Sequence, residues 1–373
     1  MSEQHHGASQ RHQGEGERHP ADADGHGRPP TLADVAREAG VSVTTASLVL
    51  RVPHPPNIGP ETQERVRATA TRLGYVRNQA ATDLRSQANS AIGFIADGIA
   101  QGPFAGEMIR GAQDAAWRQG YLLMIVETGH DNQLVCEAVT RFTERRVRRI
   151  IYAAYAHREV DLPPALADAS PVLANAFDVE RKFSSLVPDE FGGGLLAART
   201  LLAIRRAPIG FINIARGDPA AEGRLNGYRA AVENAGLAFD ESLVIYTGIY
   251  TERSANRFPG QGGGNAVDGY KAARVLFRRH PDLGLLFCGT DRMAMGAYDY
   301  LKETGRRIPQ DVAVVGFDNQ LLIAAQVRPA LTTIALPHYE MGKQAVQLAL
   351  GHARDNNPRQ VALPCRLVAR KST

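Results

Sequence analysis

The sequence predicts an all-α helix-turn-helix head joined to an α/β core of two doubly wound parallel-sheet subdomains. Two patterns predict this division. Residues 31–51 contain two short amphipathic helical patterns around a turn. From Ser90 onward, apolar runs alternate with amphipathic segments, a pattern typical of parallel strands connected by helices. With 373 residues, the chain has the length of two or three domains.

The first two predicted helices have clear start and stop signals. Thr31 is a suitable N-cap, and Asp34 is placed to return a hydrogen bond to it. Gly40 ends the first helix because glycine adopts the left-handed conformation at low cost. Ser42 then caps the second helix. Apolar residues line one face of each helix: Leu32, Val35, Ala36, Ala39, Ala46, Val49 and Leu50.

The second helix turns a polar edge outward, and a third helix completes the head. The polar edge contains Ser42, Thr44, Thr45 and Ser47. After a proline-rich loop at 52–59, the third helix begins at Pro60, a favoured first position, and runs to Leu73. We expect Val66, Ala70 and Leu73 to close a three-helix core. Such a head places its second helix in a DNA major groove.

The head resembles the LacI family of bacterial transcription regulators, whose pattern is close to T-x-x-D-V-A-x-x-A-G-V-S-x-x-T-V-S-x-V-L. The alternative is an ordinary helical hairpin. The chain matches the pattern without gaps at Thr31, Asp34, Val35, Ala36, Ala39, Gly40, Val41, Ser42, Thr45, Ser47, Val49 and Leu50.

The resemblance implies a DNA-binding role for the head. Val43, Thr44 and Leu48 occupy the positions from which the family reads bases; Val43 and Leu48 offer only apolar contacts. Side-chain contacts to DNA phosphates fix the position of the head along the duplex, but they do not read the base sequence. The expected DNA-binding residues of the head are Thr31, Ser42, Val43, Thr44, Thr45, Ser47, Leu48 and Arg51.

Residues 75–89 resemble the family's hinge, a segment that becomes helical on DNA. Asn78, Ala81 and Leu84 match its N-x-x-A-x-x-L signature, whereas Arg77 replaces the usual proline and Asp83 brings a negative charge. The resemblance implies that two hinge helices pair in a dimer and insert Leu84 into the minor groove. Such a wedge kinks the duplex. The alternative is a linker helix in which Leu84 packs internally.

Eight buried strands are predicted in the core, in two successive sets of four. The two subdomains are expected at about 90–190 plus 320–338, and at 191–319 plus 339–373. Helices are expected between the strands, for example at 104–119, 190–204, 222–235 and 291–304. The strands are Ala91–Ala96, Tyr121–Val126, Arg149–Ala153, Pro171–Asn175, Pro208–Ile214, Leu243–Tyr246, Gly284–Cys288 and Val312–Gly316.

The family resemblance continues through the core, which is similar to the periplasmic-binding-protein-like effector domain of LacI-type repressors. The motifs that carry it lie at 224–228, 287–291, 308–318 and 331–334. In such folds a ligand binds at the carboxyl ends of the strands. The candidate effector-binding residues are Phe104, Asn175, Arg224, Thr290, Asp291 and Asp318.

Four of the six effector candidates have a plainer alternative. A guanidinium suits two adjacent hydroxyls, so Arg224 is the first candidate; its alternative is a salt bridge to a nearby acid. Asp291 and Asp318 directly follow strands, and the alternative for each is helix capping. Thr290 stands where the family usually has asparagine. Phe104 is either an apolar wall for a sugar or a packing residue.

Other sequence features predict no cofactor, metal site or catalytic residue. The three cysteines are far apart, which favours a reducing cytoplasm, and the polar start lacks a signal peptide. A net charge of +4 is compatible with DNA binding. Residues 1–28 are predicted to be disordered, and their histidines are more consistent with a solvated tail than a metal site. The glycine-rich run 260–265 fits neither a P-loop nor a dinucleotide fingerprint.

The sequence therefore predicts a cytoplasmic, nucleoid-associated repressor. We expect it to bind a palindromic operator as a homodimer or a higher oligomer, and to respond allosterically to a small sugar or related metabolite. It is not expected to be an enzyme or to associate with a membrane. Two rivals remain: a core that binds a protein partner instead of a sugar, and an enzyme of doubly wound fold, which lacks a nucleotide fingerprint.

Overall fold

The computed structural model describes residues 28–53, 55–76, 90–99, 102, 105–205, 207–248, 264–351 and 357–373. It divides the chain into two compact units, residues 1–85 and 86–373. The predicted tail, the hinge residues Asn78, Ala81 and Leu84, the candidate Phe104 and most of the glycine-rich run lie outside the described residues.

The head contains the three predicted helices, α1 (Leu32–Glu38), α2 (Val43–Arg51) and α3 (Pro60–Arg72). Thr31 and Asp34 form the predicted capping box, and Ser42 caps α2 through the backbone N–H of Thr45. The three helices therefore begin where predicted, and α3 ends at Arg72, one residue before the predicted Leu73. Its core buries Val35, Ala36, Ala39, Ala46, Val49, Val66 and Ala70, with Leu32, Leu50 and Leu73 packed against it.

Two six-stranded sheets form the core. The first has the order β11-β5-β4-β3-β1-β2, and all its neighbouring strands are parallel. Its strands are β1 (Ala91–Asp97), β2 (Leu122–Glu127), β3 (Ile150–Glu159), β4 (Val172–Phe177), β5 (Ser185–Pro188) and β11 (Gln360–Leu363).

The second sheet has the order β12-β10-β9-β8-β6-β7, in which only β12 is antiparallel to its neighbour. Its strands are β6 (Gly210–Asn213), β7 (Val244–Tyr246), β8 (Leu285–Cys288), β9 (Ala313–Asp318), β10 (Thr332–Ala335) and β12 (Arg366–Val368). The strand order reverses beside β1 and beside β6, and ligands bind at such switch points.

Nine helices of the described core connect or cover these strands. They are α4 (Ala105–Arg118), α5 (Asn132–Glu144), α6 (Pro164–Asp168), α7 (Glu190–Leu202), α8 (Pro219–Asn234), α9 (Ala266–Arg279), α10 (Asp291–Glu303), α11 (Leu321–Ala324) and α12 (His338–Gly351). None of the described helices is long and apolar enough to cross a membrane.

The predicted subdomain boundaries are wrong after residue 320. Strand β10, assigned to the first subdomain, pairs with β9 of the second sheet. Helix α12 and strand β11, assigned to the second subdomain, belong to the first, where α12 packs on α4 and β11 pairs with β5. The chain thus changes subdomain three times: after β5, after β10 and after β11. The order of strands and helices along the chain does not show which strands pair. It therefore could not predict that the chain crosses again between the subdomains after β10 and β11.

The predicted strand at 121–126 is present as β2, but the prediction that it is buried is wrong. Strand β2 pairs only with β1 among the described strands, and Leu122 and Ile125 are 59% and 44% exposed. Trp117, near the end of α4, is 75% exposed. The edge strand β2 and the end of α4 therefore both expose apolar side chains on the first subdomain.

Glycines permit the close approach of α4 and α12. A Cβ atom on Gly342 would lie 1.9 Å from the carbonyl oxygen of Met108, whereas nothing lies within 4 Å of one on Gly351, in the same helix. We expect Gly342→Ala to lower the free energy of unfolding by about 2 kcal/mol, because the backbone must shift to accommodate the methyl group.

The matched change Gly351→Ala should leave that free energy unchanged or raise it by up to about 1 kcal/mol through helix propensity. Urea unfolding followed by far-UV circular dichroism measures both. Equal effects of the two variants would contradict the close approach of the helices.

Candidate functional site

The part of the head that was predicted to read bases begins at the amino-terminal end of α2. Ser42, Val43 and Thr44 are exposed there, Val43 by 49%. Thr45, Ser47 and Leu48 are half-buried, and Arg51 is exposed at the end of the helix. The fold therefore leaves the predicted base-reading positions Val43 and Thr44 accessible, and Leu48 partly so.

Three polar candidates of the head already have structural roles. The Thr31 hydroxyl donates to Asp34 Oδ2 at 2.6 Å and accepts from the Asp34 backbone N–H at 3.3 Å. The Ser42 hydroxyl accepts from the Thr45 backbone N–H at 3.0 Å and lies 2.8 Å from Thr45 Oγ1. The hydrogen bonds from Thr31 hold the pKa of Asp34 down to about 2. These side chains therefore stabilise helix starts, whatever contact with DNA they make in addition.

The second candidate site is centred on Arg224 in α8. Only 4% of this residue is exposed. Its Nε donates to Glu190 Oε2 at 2.8 Å, and its Nη1 donates to the carbonyl oxygen of Gly289 at 2.5 Å. The guanidinium also lies over the ring of Phe317, with 3.8 Å from Cζ to the ring centroid. Arg224 therefore forms a salt bridge with Glu190, which is the alternative to effector binding that the sequence left open.

Glu190 is the residue that the sequence analysis missed. It begins α7, directly after the chain has left the first sheet. Burial opposes ionisation of its carboxyl, but Arg224 and His157 hold its pKa below the usual value. His157, from β3 of the first sheet, places Nδ1 3.7 Å from Glu190 Oε1. A glutamate one residue after an N-cap is common, so the sequence pattern gave no signal for this contact across the two subdomains.

Asp318 ends β9 beside this cluster. Its Oδ2 accepts a hydrogen bond from Gln320 Nε2 at 3.0 Å, and the Gln320 side-chain oxygen accepts one from Arg292 at 3.2 Å. Burial raises the pKa of Asp318 to about 7, in spite of the nearby charges of Arg224 and Arg292. Helix capping is not its role, because α11 begins at Leu321 with Gln320 as N-cap. The carboxyl group is buried beside the cluster.

Thr290 and Asp291 have mainly structural roles. Thr290 caps α10 by accepting from the Met293 backbone N–H, and its hydroxyl donates to the carbonyl oxygen of Gly264. Asp291 is fully buried and accepts from the Gln320 backbone N–H at 2.7 Å and from the Thr333 hydroxyl at 2.6 Å. Both Asp291 oxygens thus hold neighbouring strand ends together, and burial raises its pKa well above the usual value.

Asn175 lies at the carboxyl end of the first sheet, separate from the contacts of Arg224. It has a φ of 57° and donates from Nδ2 to the carbonyl oxygens of Ala154 and Tyr155. Its buried Oδ1 accepts no hydrogen bond within the described part of the chain. A buried acceptor without a donor is costly, so Asn175 retains the capacity to bind a donor.

A cavity of 720 Å³ adjoins Asp318. Its lining comes from the ends of β9 and β10, the helices α4, α10, α11 and α12, and the chain from the end of β11 to the start of β12. Asp318, Gln320, Arg292 and His338 are among the lining residues, and burial lowers the pKa of His338 to about 4. The volume is typical of sites for small molecules. No group of acidic, histidine and cysteine side chains suited to a metal ion occurs in the described ranges.

Comparisons with known proteins agree with this division into head and core. Residues 31–78 match the model of bacterial regulatory proteins of the lacI family, and residues 199–373 match that of a periplasmic binding protein-like domain. The chain is 31% identical to the sucrose operon repressor of Escherichia coli over 353 residues, which cover 92% of this chain and 99% of that protein. The chain belongs to the LacI family. It is therefore a DNA-binding transcriptional regulator and not an enzyme.

The chain is also similar to other regulators and to solved structures along most of its length. The regulator GalR of Escherichia coli is 29% identical, covering 88% of this chain and 90% of its own. A CelR–cellobiose complex matches with a TM-score of 0.62 and 26% identity, covering 92% of this chain and all of the other. The Lac repressor dimer bound to operator and the anti-inducer ONPF matches with a TM-score of 0.67, 21% identity and coverage of 92% and 99%.

The raised pKa of Asp318 predicts how pH changes stability. Between the ordinary value of 3.8 and about 7, the folded protein retains a proton that the unfolded chain has lost. Stability therefore falls as pH rises through this range. We expect Asp318→Asn, which also tolerates a positive φ, to raise the free energy of unfolding by about 2 kcal/mol at pH 8 and to have little effect at pH 4.

Urea unfolding of both proteins at the two pH values measures this difference. The control is Asp299→Asn, which changes an exposed aspartate of α10. A gain for Asp318→Asn that is the same at pH 4 and pH 8 would contradict the raised pKa.

Proposed function

We propose that the protein is a repressor that binds a palindromic operator as a homodimer and is controlled by a small sugar or related metabolite bound in its core. The observation that carries the proposal is Glu190, which pairs with Arg224 of the second subdomain and places Oε1 3.7 Å from His157 Nδ1 of the first. A ligand at this cluster touches groups from both subdomains, so its binding free energy depends on their arrangement.

The effector contacts that we propose follow from what each side chain has left to offer. Arg224 has donors beyond the two used by Glu190 and Gly289, because a guanidinium carries five. Asp318 Oδ1 is an acceptor for a hydroxyl, since the described hydrogen bond from Gln320 uses Oδ2. Of these side chains, Asp318 lines the 720 Å³ cavity together with Arg292. Acceptors and donors close together suit adjacent sugar hydroxyls, and the similar regulator CelR was solved as a complex with cellobiose.

Dimerisation is proposed through the exposed apolar surface of Trp117, Leu122 and Ile125. An unpaired edge strand presents free backbone groups, and its burial against a second copy removes this liability. The similar Lac repressor structure is a dimer on its operator. A dimer presents two α2 helices to two half-sites of a palindrome. A regulator of this kind acts in the cytoplasm, where the chromosome is.

The mechanism is thermodynamic linkage between effector and operator. An effector that binds one arrangement of the subdomains more tightly than the other shifts the protein toward that arrangement. The ratio of the effector's two affinities sets how far the protein's affinity for operator changes. A coupling of about 1 to 3 kcal/mol changes operator affinity several-fold to about a hundredfold. Asp318 takes part directly, whereas Asp291 and Thr290 hold the strand ends that position it.

The proposed function is tested by fluorescence anisotropy with duplexes from the DNA upstream of the protein's own gene, titrated with mono- and oligosaccharides. We expect a dissociation constant of about 10 nM or lower for one duplex. One sugar should shift it at least about tenfold, or about 1.4 kcal/mol. Asp318→Asn should keep operator binding and lose the sugar response.

The control Asp299→Asn should retain both the binding and the response, because that carboxylate is exposed and outside the cavity lining. Binding no tighter than to a random duplex would contradict control through these sequences. An unchanged sugar response in Asp318→Asn would contradict the proposed effector site.

A further inference from the structure

The amino edge of the first sheet carries a dense group of arginines. Residues 141–149 contain five arginines and a single glutamate. Helix α5 ends within this segment, and β3 begins directly after it. Because all neighbouring strands of this sheet are parallel, the segment lies at the edge opposite the carboxyl ends that carry His157 and Asn175. The arginines are therefore remote from the proposed effector site.

Helix stabilisation explains only part of this group. Arg141 and Arg145 lie 3.4 and 3.9 Å from Glu144, and cations favour the carboxyl end of a helix. Arg146 and Arg148 come after the end of α5 and are exposed. Their side chains make no hydrogen bond or ion pair with the rest of the described chain. Two positive charges thus remain available to an outside partner.

Arg149 and Tyr121 extend the same surface toward β1 and β2. The guanidinium of Arg149 lies 5.3 Å from the centroid of the Tyr121 ring. We call Arg145, Arg146, Arg148 and Arg149 the basic edge. Within residues 141–149 the one carboxylate, Glu144, is shared between Arg141 and Arg145. The basic edge therefore carries a net positive charge.

The chain enters the core beside the basic edge. Residue Ser90 directly precedes β1, and the backbone N–H of Gly93 in that strand donates to the carbonyl oxygen of Arg149 at 2.9 Å. Residues 77–89 connect Val76 of the head to this point, and a chain of that length spans at most roughly 45 Å. A duplex held by the head is therefore tethered to the edge of the core that carries the unpaired arginines.

We propose that the basic edge is a second DNA-binding surface, which contacts the phosphate backbone of the duplex outside the base pairs read by the head. Arginine suits phosphate because its planar guanidinium donates two parallel hydrogen bonds. Such contacts add affinity and salt dependence without reading sequence. The proposal rests on operator binding by the head. Selection of a preferred operator sequence tests that binding separately.

The test compares Arg146→Gln/Arg148→Gln with Arg278→Gln/Arg279→Gln in the full-length chain. Arg278 and Arg279 are exposed at the end of α9 in the second subdomain, so the two variants lose equal charge. The probes are an operator of about 20 base pairs, selected from a random library by the wild-type protein, and the same operator extended to about 60 base pairs. Both lengths follow from the scale of a two-half-site operator.

The measured quantity is the slope of log affinity against log salt concentration. Each lost phosphate contact lowers the steepness of the slope by about 0.9. For the basic-edge variant of a dimer, we expect a slope on the long duplex that is shallower by roughly 2 to 4, with a smaller change on the short one. The control variant should match the wild type on both.

Equal slopes for all three proteins on the long duplex would overturn the proposal while leaving operator binding intact. An equal decrease in the steepness of the slope for both variants would also overturn the proposal, because the lost net charge alone would then explain the effect. If the library yields no preferred sequence, operator binding itself fails and both proposals fall.

Discussion

The buried ion pair between Glu190 and Arg224 is the interaction on which the core of this LacI-family chain depends. Both residues are at least 95% buried, and the guanidinium is enclosed by Glu190, the Gly289 carbonyl and the Phe317 ring. A charge buried in this way is tolerated only when it is paired. The pair joins α7 and α8 to the ends of β8 and β9, and through His157 it reaches the first sheet.

Small residues allow this arrangement to form. A Cβ atom on Gly194 would lie 2.2 Å from the carbonyl oxygen of Arg224, and one on Gly223 would lie 2.5 Å from the Glu190 Cβ. Helices α7 and α8 therefore pack closely where the ion pair forms. Phe317 is stacked under the guanidinium and belongs to the same apolar cluster as Phe211 and Phe287. The site thus depends on the packing of the whole second subdomain.

Local sequence signals predicted the head well. The capping box at Thr31, the N-cap at Ser42 and Pro60 at the start of α3 act within a few residues, so the sequence alone determined the helix starts. Strands β1 to β4 and β6 to β9 were likewise found from apolar runs. Strands β5, β10, β11 and β12 were missed. Their length of three or four residues does not explain this, because β6, β7 and β8 are equally short and were found.

The candidate site was predicted only in part. Arg224 and Asp318 were identified from motifs, and the structure brings both to one cluster. The roles of Thr290 and Asp291 depend on Gly264, Gln320 and Thr333, which are distant in sequence. Glu190 and His157 come from different subdomains, and no spacing rule relates them. Contacts between residues that the three chain crossings separate arise only in the tertiary fold. The sequence therefore could not show them.

The central claim is that Glu190 and Arg224 stabilise the core as a pair. A double-mutant cycle with Glu190→Gln, Arg224→Met and their combination, measured by urea unfolding, tests it most directly. We predict a loss of about 3 to 5 kcal/mol for each single variant, because each leaves a buried group without its partner, and a much smaller loss than the sum for the double variant. Losses that simply add would contradict the account.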